Sequence, residues 1–190
     1  GGAQFLTINN ASSSPNPPFA FLGGVGVDGA GNVFVTDIAT DTLYGFTNAG
    51  VQFLTVNGTS NPPSPPFVAP NSVTTDLAGN VYVADRFSLT VYGFTSAGVQ
   101  FLQIGNAAAS PPFGRPEDVA VDVSGNGFVA DRGGTVYGFT SSGVQFLAIN
   151  NSTASPDPPF VAVDSVGVDF AGNVYVGDTT TNTIYGFRCG

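Results

Sequence analysis

An all-β fold, one domain of four tandem four-stranded sheets over residues 1–190, is predicted by three observations. A Thr-x-Tyr-Gly-Phe stretch occurs at Thr42–Phe46, Thr90–Phe94, Thr135–Phe139 and Thr183–Phe187, and its tyrosines are 48, 45 and 48 residues apart. All 14 prolines fall between the end of one repeat and the start of the next, where a missing N–H interrupts no ladder. Short runs alternate apolar with other residues, and no stretch has a helical period with caps. Four strands of five or six residues, tightly joined and repeated every 45 to 48 residues, are the pattern of a β-propeller blade.

The first repeat, about residues 24–56, reads in order. Val25–Asp28 is a short strand closed by the turn Gly29-Ala30-Gly31; Asp bonds its own backbone, and Gly accepts a positive φ. Asn32–Asp37 and Thr42–Phe46 follow, and Asn48-Ala49-Gly50 turns the chain into Val51–Val56. The second repeat, about 72–104, gives Val73–Asp76, Asn80–Asp85, Thr90–Phe94 and Val99–Ile104. The third, about 118–149, gives Val119–Asp122, Asn126–Asp131, Thr135–Phe139 and Val144–Ile149. The fourth, about 165–187, gives Val166–Asp169, Asn173–Asp178 and Thr183–Phe187, with no fourth strand of its own. In each third strand Tyr and Phe share one face, and the Gly on the other makes room for a neighbour's aromatic ring.

The missing strand stands at the other end. Gln4, Phe5, Leu6, Thr7 and Ile8, within a predicted strand over 3–8, match the Gln-Phe-Leu runs after Gly50, Gly98 and Gly143. They are the expected strand donor that completes the last blade. Two closures satisfy the same backbone bonds: the strand enters its own ring, or the last blade of a neighbouring chain, which propagates as a filament.

The residues 113–122, Phe-Gly-Arg-Pro-Glu-Asp-Val-Ala-Val-Asp, followed by Gly125-Asn126 and Phe128-Val-Ala-Asp131, resemble the NHL repeat. Asp76–Asp85 and Asp169–Asp178 match it too, and the resemblance covers nearly the whole chain. It implies a propeller, although that family usually has six blades and this chain holds four. The Ser-, Pro- and Asn-rich connections also depart from it. The resemblance brings RNA-binding relatives that use a basic face, lyases that use His metal ligands, and lactonase-like propellers that use Glu, Asn and Asp.

The chain supplies little for those chemistries. Only 9% of its residues are charged, with four Arg, no Lys and a net charge of −9. That argues against nucleic acid and against an anionic membrane surface. No apolar run reaches the roughly 18 residues of a membrane span. No His is present, which removes the commonest general base. The single Glu, Glu117, reads as a solvated loop residue, and the chain is expected not to be an enzyme.

Asp28, Asp76, Asp122 and Asp169 recur at one place in the repeat, and Asp37, Asp85, Asp131 and Asp178 at another. Both sets read as turn caps at strand ends; the rival reading is a hard cation in the central channel. No cofactor is expected. Asn10, Asn57, Asn150 and Asn151 begin glycosylation triplets. Cys189 is the lone cysteine, a free thiol or an interchain one. The chain starts at Gly1 and contains no Met, so a leader removed or a trimmed start is expected.

The leading functional expectation is an extracellular or cell-surface structural and adhesive module, partnered by itself and self-assembling through the N-terminal strand. The alternative is a propeller that binds a protein or glycan. Its discriminating loops are Ile38–Asp41, Phe87–Leu89, Gly133-Gly134 and Thr179–Asn182, which differ most between repeats and share one end of the blades. A lyase or lactonase is the third.

Overall fold

The computed structural model describes residues 2–10, 19–58, 67–153 and 159–188. It contains fifteen strands and, among the described residues, no helix. β1 (Leu22–Val27), β2 (Val33–Asp37), β3 (Thr42–Phe46) and β4 (Gln52–Val56) form the first antiparallel sheet in that order. β5 (Pro70–Thr75), β6 (Val81–Asp85), β7 (Thr90–Phe94) and β8 (Gln100–Ile104) form the second. β9 (Pro116–Val121), β10 (Gly127–Asp131), β11 (Thr135–Phe139) and β12 (Gln145–Asn150) form the third. The fourth sheet has three strands, β13 (Val163–Val168), β14 (Asn173–Asp178) and β15 (Thr183–Arg188). The fold is thus an all-β array of four propeller blades.

The first strands line up beside one another, β1 by β5, β5 by β9 and β9 by β13. They form the inner wall, and β4, β8 and β12 lie outermost. The seams between blades are apolar. Phe34, Leu43, Leu54 and Val56 of the first blade meet Phe67, Val73, Val81, Val83, Tyr92 and Phe94 of the second. The same positions meet at the next two seams. Aliphatic and aromatic side chains from both blades interdigitate there, as close packing of a core requires.

Each blade is also locked internally by the phenylalanine that ends its proline-rich entry. Phe67 stands edge-on to Tyr92 and Phe94, with ring centroids 5.4 and 5.9 Å away. Phe19, Phe113 and Phe160 repeat the arrangement.

Two expectations are corrected here. The first strands begin about three residues earlier than the alternation suggests, and Pro70 and Pro116 open β5 and β9. The register slips between Pro70 and Ser72, and an equivalent slip recurs in every blade. Alternation starts only after the slip, and a proline at the first position donates no bond that the ladder needs.

The strand glycine makes room for a ring of its own blade, not of a neighbour. The register skips Phe53, Phe101 and Phe146. A Cβ on Gly45 would stand 3.0 Å from the Phe53 ring. Phe53 stacks edge-on to Phe34 at 5.9 Å, as do Phe101 on Tyr82 and Phe146 on Phe128.

Candidate functional site

Three regions bear on function: the two ends of the inner wall, and the open side where the chain starts and stops. At one end, the turns after β1, β5, β9 and β13 surround a cavity of about 360 Å3 lined by Asp28, Asp76, Asp122 and Asp169 with Leu77, Val123 and Phe170. The carboxylates serve their own turns. Asp28 Oδ1 accepts the amides of Ala30 and Asn32 at 2.9 and 2.8 Å, and Oδ2 accepts Asn32 Nδ2 at 2.8 Å. The other three blades repeat this set. Gly31, Gly79, Gly125 and Gly172 take φ near +81° to +82° to complete the turn. Among the described residues no cluster of three His, Cys, Asp or Glu is placed to hold a metal ion.

The second set of aspartates is buried. Asp85 accepts four amides, from Val68 (2.7 Å), Ala69 (3.0 Å), Phe87 (3.2 Å) and Ser88 (3.0 Å). It ties the incoming connection to the turn between β6 and β7. Asp37 and Asp178 do the same in their blades. Both sets are therefore turn caps in this structure.

The balance of burial and donors differs between blades. For Asp178, burial pushes the carboxyl up, but the amides of Val161, Thr181, Ala162 and Thr180 outweigh it and hold it below 3.8. For Asp131, burial wins over the amides of Arg115, Gly133 and Gly114 and raises it. The signs follow from linkage. Asp178 contributes stability above its unfolded value and loses it as pH falls through its depressed folded value. Asp131, raised, opposes folding once ionised, so its contribution improves toward acid. Asp178→Asn should therefore destabilise more at pH 7 than near pH 3, whereas Asp131→Asn should cost less at pH 7 than Asp178→Asn does. Melting temperatures at the two pH values test this; equal losses for both variants at both values would refute it.

The opposite end of the wall corrects the reading of Glu117. It is not a solvated loop residue but lies on β9, 6% exposed. It pairs with Arg115, and its Oε2 accepts Asn71 Nδ2 at 3.1 Å. Its equivalents are Gly23, Asn71 and Asp164, one per blade. Arg132 pairs with Asp164 at 3.5 Å, and the Arg86 and Arg115 guanidiniums stand 5.1 and 5.8 Å from the Phe87 ring. Most of the residues that break the repeat thus gather at this end, where the loops Ile38–Asp41, Phe87–Leu89, Gly133-Gly134 and Thr179–Asn182 also lie. Tyr82 and Tyr137 are pushed up to about 12 by burial and by nearby Asp76 and Asp131, so both stay protonated near neutral pH.

On the open side, Gln4, Phe5, Leu6, Thr7 and Ile8 form no strand, and among the described residues β15 pairs only with β14. The expected closure onto β15 of the same chain is absent, because blade four does not reach round to blade one. The segment nonetheless has the build of a fourth strand. Gln4 Nε2 bonds Thr7 Oγ1, as Gln52 Nε2 bonds Thr55 Oγ1 at 2.7 Å. Leu6 and Ile8 approach Gly50 as Leu54 and Val56 approach Gly98 and as Leu102 and Ile104 approach Gly143. Asn10 clasps the backbone of Phe19 through both amide atoms (3.1 and 2.8 Å), and Asn151 clasps Phe160 likewise (3.0 and 2.8 Å). Phe5 is exposed.

Among the glycosylation candidates, the Asn10 and Asn151 amides make those clasps. Asn150 Oδ1 accepts the amides of Ser152 and Thr153. Asn57 ends in a turn after β4. Cys189 lies outside the described residues.

No family profile matches the sequence, and no curated protein matches it. Solved structures do. A protein of unknown function from Bacteroides caccae is similar with a TM-score of 0.61 at 14% identity, covering 83% of this chain and 56% of that one. Streptogramin B lyase, a β-propeller, is similar with a TM-score of 0.61 at 12% identity, covering 89% of this chain and 55% of the lyase. The chain therefore spans just over half the length of these neighbours. The likeness establishes the propeller fold. No helix among the described residues is long and apolar enough to cross a membrane.

Proposed function

We propose that this chain is a non-catalytic, NHL-like propeller module of an extracellular or cell-surface structure, and that it assembles by donating residues 4–8 to a fourth blade. One observation carries the reading. The segment already has the internal hydrogen bond, the contacts to Gly50 and the Asn10 clasp of a fourth strand, while among the described residues β15 pairs on one edge alone, with β14. A segment with the side-chain contacts of a fourth strand but no sheet, and a sheet without its last strand, are two halves of one blade.

The chemistry is consistent with a non-catalytic role. Both sets of repeated aspartates are occupied by turns, Glu117 and Asp164 at the other end pair with Arg115 and Arg132, Asp118 accepts from Ser72 and the Val166 amide, and no His is present. A second reading, a binding module, is favoured by the unrepeated Asn71, Arg86, Phe87, Arg115, Glu117 and Asp164 at one end of the wall.

Deleting residues 2–8 tests the strand-donor role. The expected result is loss of higher-mass species with retained β-sheet circular dichroism. Unchanged mass on deletion would remove the strand-donor role.

A further inference from the structure

Two apolar faces are left bare at opposite ends of the array, and they are the two halves of a seam that the molecule makes three times elsewhere. Ile184 on β15 is 81% exposed, whereas its equivalents Leu43, Val91 and Val136 are 0%, 1% and 0% exposed. Beside it, Tyr175 is exposed where Phe34, Tyr82 and Phe128 are buried. At the other end, Val25 is 66% exposed, against 5%, 3% and 9% for Val73, Val119 and Val166.

The backbone tells the same story. A Cβ on Gly26 would stand 3.1 Å from Val73 O in the next blade, while the equivalent Gly167 meets nothing within 4 Å. Leu6 and Ile8 already cover part of the first blade. Beside them an apolar groove of about 410 Å3, lined by Phe5, Leu6, Phe19, Leu22, Val33 and Val35, is open. At the interior seams that space is filled by the Phe34–Leu43 pair and its equivalents, so Tyr175 and Ile184 are the side chains of matching position and size.

Resting on the strand-donor reading, we infer that the occupant of this groove is blade four of a second copy of this chain, and that two copies close head to tail into one eight-bladed ring. The pairing repeats an interface the fold already builds, with the same residue types at the same positions. The arc also has the right span. Most of the chain superposes on 55% of the lyase chain, so four blades here follow slightly more than half of a ring of that curvature, and two copies close as a ring slightly wider than the lyase's. Eight blades lie within the usual range of four to eight. Each copy then lends residues 4–8 to the other's β15, with Phe5 laid over Gly186 and against Tyr175, as Phe53 lies over Gly45 and against Phe34. A heterologous contact whose rotation closes ends growth at the ring and leaves no edge.

The test uses the full chain. Native mass spectrometry is expected to give a particle of twice 19.3 kDa. Ile184→Asp should convert it to single chains, raising the dissociation constant by about 100-fold or more because the charge would be buried in the seam. The fold of the single chain should be unchanged, since Ile184 is exposed within it. A second variant fixes who pairs with whom. Leu43 faces Val56 across β3 and β4, and Val91 faces Ile104, so Ile8→Cys with Ile184→Cys, in a Cys189→Ser background, should form disulfides between copies under mild oxidation. The expected product is one covalent pair. An intrachain disulfide overturns the two-copy ring while leaving strand donation standing, and a ladder of higher multiples overturns the closed pair in favour of an open filament. No disulfide, with single chains throughout, overturns both the ring and the strand donation.

Discussion

Asp85→Ala is expected to lower the unfolding free energy by about 4 kcal/mol, a large part of the stability of a domain of this size. The side chain is fully buried and accepts four amides. Truncation leaves those N–H groups without partners in a place water does not reach, and each unsatisfied donor costs about 1–3 kcal/mol before relaxation. It also frees the connection from the turn it is tied to, so Phe67 loses its hold over Tyr92 and Phe94. Asp85→Asn should fall between, because one oxygen remains while the new amide group faces an N–H donor. Asp76→Ala, at an exposed turn, should cost only about 1 kcal/mol. Urea unfolding of the three variants orders them; similar losses at Asp85 and Asp76 would show that the buried carboxylate is not the hub.

Gly93→Val should cost about 3 kcal/mol, and Gly186→Val far less. A Cβ on Gly93 would stand 2.8 Å from Leu102 Cβ and 3.0 Å from the Phe101 ring. Both belong to the paired outer strand, so relief requires the bulge at Phe101 to open and its ring to leave Tyr82. Overpacking of this kind costs about 1–3 kcal/mol, and a branched residue at so short a distance belongs at the upper end. At Gly186 the same Cβ meets only the Tyr175 ring, at 3.5 Å. The single chain tolerates it. In the pairing proposed above Phe5 requires that space, so Gly186→Val should block association at little cost to the fold. Thermal melting measures the first effect and native mass the second. A Gly186→Val protein that associates normally would place Phe5 elsewhere.

Much of this architecture could be read from residues alone, for identifiable reasons. The third strands of the first three blades are found at the expected limits because Thr, Tyr, Gly and Phe each have a distinct steric duty there, and β15 runs one residue further, to Arg188. The turns follow from Asp and Gly within five residues of each other. Local chemistry of that kind is written in the sequence. The early starts of β5 and β9 were hidden by Pro70 and Pro116, whose presence argues against a strand unless the register slip is known. Glu117 was misread because the partner that buries it, Asn71, lies 46 residues earlier and on another blade. The path of residues 4–8 could be matched to a fourth strand by type. Whether they reach β15 depends on the angle between blades, summed over three seams, and no single residue records that angle.

The apolar clusters of the three interior seams place the same residue types at the same positions, so this part of the contact does not distinguish which unit follows which. Gain or loss of one 45–48-residue unit by unequal recombination would leave two ends that still match. The number of blades is therefore free to change by whole units without inventing a new contact surface.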